Sequence, residues 1–176
     1  MKMKFLVLLS ITVLGSSCVT QQANDGWKEF VAEDAGFKLL LPCSPNRKVT
    51  EYNYSVGKRY GYDFSCEHAG TRFTVGFGDH NPVSGESVEK FFEYSQGHIE
   101  FAFKDFIKSR SDLSIDANPA KRYVMNPGGG RYLITALTST KKGILHITIG
   151  PVSSPPSSED ERLFARVIDS ISFFPK

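Results

Sequence analysis

Tyr60, Tyr62, Phe64 and Cys66 fall at every second position, and Phe73, Val75 and Phe77 repeat the pattern after Ala69-Gly70. Side chains alternate across a β-strand, so each set shares one sheet face, while Arg59, Asp63, Ser65 and Glu67 take the other. Tyr52, Tyr54 and Val56 precede them with the same period, and residues 55–58 can turn that strand into the next. The middle of the chain is therefore committed to an antiparallel meander. Cross-strand aromatic pairs each contribute about 0.2–1 kcal/mol. Such a face is either packed core or a ligand platform, for instance one that stacks carbohydrate. Core is the expectation, because exposed aromatic patches of that size are rare on monomers.

Upstream, residues 27–31 alternate, Asp34-Ala35-Gly36 turns, and residues 37–41 form a second strand stopped by Pro42, which reads as a hairpin. Downstream the period changes. Between residues 84 and 110, Val88, Phe91, Phe92, Ser95, Ile99, Ala102, Phe103 and Phe106 lie on one helical stripe, with Ser87 as N-cap and Glu89 in the first turn. Gly97, off the stripe, weakens this helix by about 1 kcal/mol relative to Ala. Its polar side mixes Glu86, Glu89, Glu93 and Glu100 with Lys90, Lys104 and Lys108. The expectation is a core-facing helix, since one lying along a lipid surface carries a basic face.

Three strands follow at 121–125, 131–138 and 144–149, joined by the turns Asn126-Pro127-Gly128-Gly129-Gly130 and Lys141-Lys142-Gly143. The glycine run lacks the Lys-Ser/Thr and helix start of a phosphate cradle and reads as a hairpin loop. Ser158-Glu159-Asp160-Glu161 has the form of a capping box for a last helix with Leu163, Phe164, Val167, Ile168 and Ile171 as its apolar stripe. A short strand at 172–174 closes the chain. The fold class expected is α+β: an antiparallel sheet of about six to eight strands flanked by two main helices.

The first residues carry a different message. Lys2 and Lys4 precede an uncharged apolar run from Phe5 to Leu14, followed by Gly15-Ser16-Ser17 and Cys18. A basic start, an apolar run of roughly 10 residues and a small-residue cleavage site make a secretory signal. A membrane span needs about 20. The cysteine directly after the cleavage point resembles a bacterial lipobox, although Gly15 holds the place usually taken by Leu. The organisation expected is a signal at 1–17, a lipidated Cys18 with a polar tether at 18–26, and a single domain at 27–176. The alternative is plain secretion after cleavage at Ser17. Val19 is not the Asp associated with inner-membrane retention in enteric bacteria, so the expected location is the periplasmic face of the outer membrane.

Three cysteines in an exported chain leave one unexplained unless Cys18 carries lipid. Cys43 and Cys66 then remain as a pair, and an oxidising compartment favours a disulfide that closes a loop of roughly 20 to 25 residues, stabilising by about 3 kcal/mol. A metal site of Cys43, Cys66 and His68 is the alternative, but no CxxC or HxxxH spacing accompanies them. Removing residues 1–17 takes away Lys2 and Lys4 from 21 Lys+Arg and leaves 19 against 19 Asp+Glu. A neutral chain whose basic residues cluster no further than pairs has neither a nucleic-acid footprint nor a polybasic membrane patch.

Three local patterns carry a resemblance: Gly36-Phe37-Lys38-Leu39-Leu40-Leu41-Pro42, Asn118-Pro119-Ala120-Lys121-Arg122-Tyr123 and Val167-Ile168-Asp169-Ser170-Ile171-Ser172-Phe173. With the order of elements, the mature domain resembles the superfamily of the photosystem II extrinsic protein PsbP, the bacterial lipoprotein DcrB and the yeast Ran-binding import factor. The resemblance implies an antiparallel sheet flanked by helices and a binding or assembly role, with no catalytic residue and no cofactor. The function expected is a non-enzymatic module with an envelope protein as partner. An envelope hydrolase or metal-dependent enzyme is the alternative, with a site made by Asp79-His80 together with Glu67 and His68. His98 and His146 complete the histidines, and no Gly-x-Ser-x-Gly, HExxH or penicillin-binding motif set is present.

Overall fold

A computed structural model describes residues 26–54, 57–80, 87–153 and 155–174. The signal, Cys18 and the tether through residue 25 lie outside these, as do Val56 and residues 81–86. The chain runs β1 (Lys28–Ala32), β2 (Phe37–Leu41), β3 (Asn46–Tyr54), β4 (Gly57–His68), β5 (Thr71–Asp79) and α1 (Val88–Ala102). It continues through β6 (Ile107–Ile115), β7 (Asn118–Gly128), β8 (Arg131–Thr140), β9 (Gly143–Val152), α2 (Ser158–Asp169) and β10 (Ser172–Phe173). The α+β class with antiparallel sheets and two helices is as expected. Seven strands form the main sheet in the order β3-β4-β5-β9-β8-β7-β6, while β1, β2 and β10 make a separate three-stranded sheet.

The alternation that dominates the sequence builds the core. Cys66 pairs with Phe73, Phe64 with Val75 and Tyr62 with Phe77, and these continue onto Ile149, Ile147 and Leu145 of β9. Burial of Phe64, Phe73, Val75 and Phe77 shows this face as core. The small sheet and α2 cover it through Phe37, Leu39, Leu41, Phe164, Val167 and Ile168. The Phe30 and Phe64 rings lie 4.8 Å apart. Cys43 and Cys66 are joined by a disulfide with Cα atoms 5.9 Å apart. It ties the chain leaving β2 to the core face of β4 and removes both sulfurs from any metal set.

Three local expectations are corrected. The helix stops at Phe103, whose N–H closes on the Ile99 carbonyl at 3.0 Å, and the following residues form β6 rather than more helix. β6 is an edge strand whose residues 108–112 are all exposed, so no alternation marked it. Its turn to β7 uses Asp116 (φ 46) and Ala117 (φ 63), a primed turn built without the usual glycine. The cap of α2 sits one residue earlier than expected, at Ser157, with Asp160 as the reciprocal partner. Asp160 wins because its carboxylate also accepts from the Ser153 hydroxyl and, at 3.3 Å, from the Ser153 amide.

The third correction concerns α1. Its stripe does face the back of the main sheet, but none of its 15 residues is buried. Tyr94 and Phe101 are 69% and 80% exposed. The reason lies in the sheet beneath it.

Candidate functional site

The back face of the main sheet is set by register. Gly61 pairs with Gly78 and Asp63 with Gly76, and across β9 these rows continue to Ile144 and His146. Three glycines thus fall together where side chains would otherwise support the helix. A methyl group on Gly78 would meet nothing within 4 Å, and one on Gly61 would meet the Tyr52 ring at 3.0 Å. The result is a groove of about 370 Å³ between sheet and helix, walled by Tyr52, Phe91, Tyr94, His98, Ile99, Leu137 and Ile144 and floored by the glycines and His146. Aromatic walls around a few convergent polar groups are the usual makeup of a binding cleft.

The polar floor is an acid–imidazole pair facing across Gly76. A methyl group at that position would sit 3.5 Å from Asp63 Oδ1 and 3.8 Å from His146 Nδ1. Burial pushes His146 below the ordinary histidine range, against an opposing pull from the Asp63 carboxylate. The imidazole is therefore neutral at pH 7. Its Nε2 is 3.2 Å from Thr148 Oγ1, which lies 3.0 Å from the buried Thr135 hydroxyl. The groove thus offers a neutral ring with one exchangeable proton, a carboxylate and a broad apolar wall. Ser95 donates its hydroxyl to the Phe91 carbonyl at 2.8 Å, which spends that proton within the helix.

Two clamps hold α1 over the floor. The Phe91 ring stacks on His80 at 5.3 Å and lies under the Arg59 guanidinium at 5.2 Å. Toward the other end, Glu100 accepts from the Tyr123 hydroxyl at 3.2 Å and from Gln96, and pairs with Arg110. Burial and the Glu100 carboxylate together push the Tyr123 hydroxyl far above its ordinary range.

The site expected at Glu67-His68 and Asp79-His80 does not assemble. His68 pairs with Thr71 at one end of the β4–β5 hairpin, whereas Asp79 pairs with Gly143 at the other. The two ends are about 27 Å apart at the usual strand rise. His80 serves as a packing partner of Phe91. Among the described residues no group of three His, Cys, Asp or Glu side chains is placed to hold a metal ion. The residues that do converge, Asp63 and His146, were missed: only the cross-strand register that puts Gly76 between them reveals the pair.

No family model and no curated protein sequence matches this chain. Among solved structures it is similar to cyanobacterial PsbP (CyanoP) from Synechocystis sp. PCC 6803, with a TM-score of 0.49 and 11% identity over 95% of this chain and 99% of that one. It is also similar to a protein of unknown function, PA94, from Pseudomonas aeruginosa, with a TM-score of 0.42 and 14% identity over 85% of this chain and 99% of that one. A PsbP, one of the relatives implied by the motifs at 36–42, 118–123 and 167–173, is thus among the similar structures. No residue role passes from either protein to this chain.

Proposed function

We propose that this chain is an envelope lipoprotein, anchored through Cys18 on the periplasmic face of the outer membrane. Its domain is a non-enzymatic binding module that holds an envelope protein in the groove under α1. The groove carries the reading: its floor is glycine, its aromatic walls suit an apolar or aromatic group presented by the partner, and Asp63 and His146 suit a hydrogen bond to a polar atom carried on that group. The signal anatomy at residues 1–18 supports the anchor. Intact mass of the mature protein tests it, and an unmodified Cys18 would leave a secreted soluble domain instead.

The binding role is tested by a photo-crosslinking residue at Ser95 in living cells, compared with the same chain carrying Gly78→Phe. A Cβ at Gly78 has open space around it, so a side chain can start there into the groove that Gly78 lines, and replacing a strand glycine does not weaken the sheet. One discrete adduct that disappears with Gly78→Phe is the expected result. An adduct unchanged by the filled groove, or none from any position along α1, would refute the role.

A further inference from the structure

The end of α1 and the turn that follows it present Phe101, Phe103 and Phe106 to solvent, with exposures of 80%, 42% and 38%. The Phe103 and Phe106 rings are 6.5 Å apart. At roughly 200 Å² per ring, Phe101 and the Phe103–Phe106 pair together leave about 300 Å² of aromatic surface in water, comparable to the largest apolar patch of a typical monomer, which is often functional. Lys104 is exposed in the turn and Lys108 at the start of β6, with Asp105 between them. The acidic residues of α1 lie elsewhere: Glu89 and Glu93 belong to its first half, and Glu100 is engaged by Tyr123 and Arg110. Arg131 is a third exposed cation, at the tip of the β7–β8 hairpin on the same end of the sheet. Asn126 N of that hairpin donates to the Phe106 carbonyl at 2.8 Å, which fixes the neighbourhood.

The position of this aromatic knuckle matters. Ser109 pairs with Val124, Val124 with Ile134, Ile134 with Ile149 and Ile149 with Phe73. Residues 101–106 lead into β6 just before Ser109, so they lie past this row along the strand direction, at the same end of the sheet as the Ala69-Gly70 turn before Phe73. Trp27, next to the first described residue, packs edge-on against Phe73 at 6.2 Å. The knuckle and the start of the domain therefore share one end of the main sheet, on opposite faces of it and offset sideways by four strand spacings, about 19 Å. Eight residues separate Cys18 from Trp27, a span of at most about 30 Å. A lipid on Cys18 keeps that end of the sheet within reach of the bilayer.

We propose that Phe101, Phe103 and Phe106 dock into the interface of the membrane that holds the anchor, with Lys104, Lys108 and Arg131 against anionic headgroups. The helix as a whole does not lie on lipid; only its end and the turn that follows do. This orientation rests on the lipid-anchor reading of Cys18, while the affinity of the knuckle for lipid does not. An aromatic and basic turn sits at the water–hydrocarbon boundary because rings favour the headgroup level and cations favour anionic lipid.

The test uses the full mature chain with Phe101→Trp, in vesicles of phosphatidylethanolamine and phosphatidylglycerol. Trp27 is the one native tryptophan, so the unsubstituted chain supplies the background. Expected are a blue-shifted emission at position 101 and quenching by acyl-brominated lipid, both reduced when Lys104 and Lys108 are changed to Glu. Water-like, unquenched emission with an unaltered melting midpoint would overturn the proposal. So would shielding of position 101 in cell envelopes without bromolipid quenching, which would assign the knuckle to a protein. Intact mass reads the anchor separately. If Cys18 carries no lipid, co-flotation of the unanchored chain with the same vesicles decides: flotation lost with Phe101→Glu and Phe103→Glu supports the knuckle, and no flotation refutes it.

Discussion

Replacing both Cys43 and Cys66 with Ala is expected to lower the stability of the domain by about 3.4 kcal/mol. The figure follows from the sequence separation of 23 residues, which in the chain-entropy model costs the unfolded ensemble about 11 cal/mol/K when the loop is closed. The location argues for the full effect. Cys66 is 8% exposed within the core cluster, and Cys43 packs against that cluster, so the bridge joins the end of the small sheet to the main sheet. For a domain of about 150 residues, each kcal/mol moves the midpoint by about 2–4 °C, so a fall of roughly 7–14 °C is expected. Thermal and urea melts of the mature chain, oxidised, reduced and as Cys43→Ala/Cys66→Ala, measure it. The reduced protein and the double variant should agree to within about 1 kcal/mol, since the two share the opened loop and differ only in two small buried groups. Equal midpoints for oxidised and reduced chains would refute the reasoning, and so would free thiols in envelope-purified material.

Asp160 is raised by burial but held below the usual carboxylate range by the Ser153 and Ser157 hydroxyls and amides. Because its folded-state pKa is depressed, its contribution is present above about pH 4 and is lost as pH falls through the folded value. Asp160→Asn should therefore cost about 1–2 kcal/mol near pH 7, read as a urea midpoint, and the gap should close in acid; a constant gap would contradict the capping role. His146 is held neutral by burial, so it contributes nothing to the pH dependence above its unfolded value, near 6.5. Stability falls below that pH as the unfolded chain takes up the proton first. His146→Gln should flatten this part of the wild-type pH–stability curve, and identical slopes for the two chains would place the imidazole in water.

Strands β4, β5 and β9 were legible because one face of each is more deeply buried than the other, which writes a period of two into the residues, whereas β8, buried on both faces from Ile134 to Thr138, was marked by the turns that flank it. β6 carried no such mark. Its run Lys108-Ser109-Arg110-Ser111-Asp112 is wet on both faces, and charged edge residues of this kind also discourage pairing with another chain. The helical stripe of α1 was real, yet periodicity reports which side faces the sheet, not how closely. Depth depended on Gly61, Gly76 and Gly78, and their coincidence under the helix exists only after three strands are placed in register. The same register undid the His68 and His80 pairing. A hairpin pairs residues that are equally far from its turn, and His80 is far from Ala69-Gly70 while His68 adjoins it.

The groove and the knuckle belong to one helix, and the way that helix is held connects them. A 15-residue helix with no buried residue gains little from apolar burial, so its position depends on its clamps. One clamp is the Phe91 ring between His80 and Arg59. The other is Glu100 with Tyr123 and Arg110, one residue before the exposed Phe101. The groove-lining Tyr94, Ser95 and His98 lie between the clamps, and the knuckle lies just outside the second. Seating the knuckle fixes that end of α1 from without, and filling the groove fixes its middle. If both proposals hold, each act removes freedom that the other would otherwise have to remove, so vesicle binding by the Gly78→Phe chain, whose groove is filled, is expected to exceed that of the unsubstituted chain, and equal binding would refute the coupling.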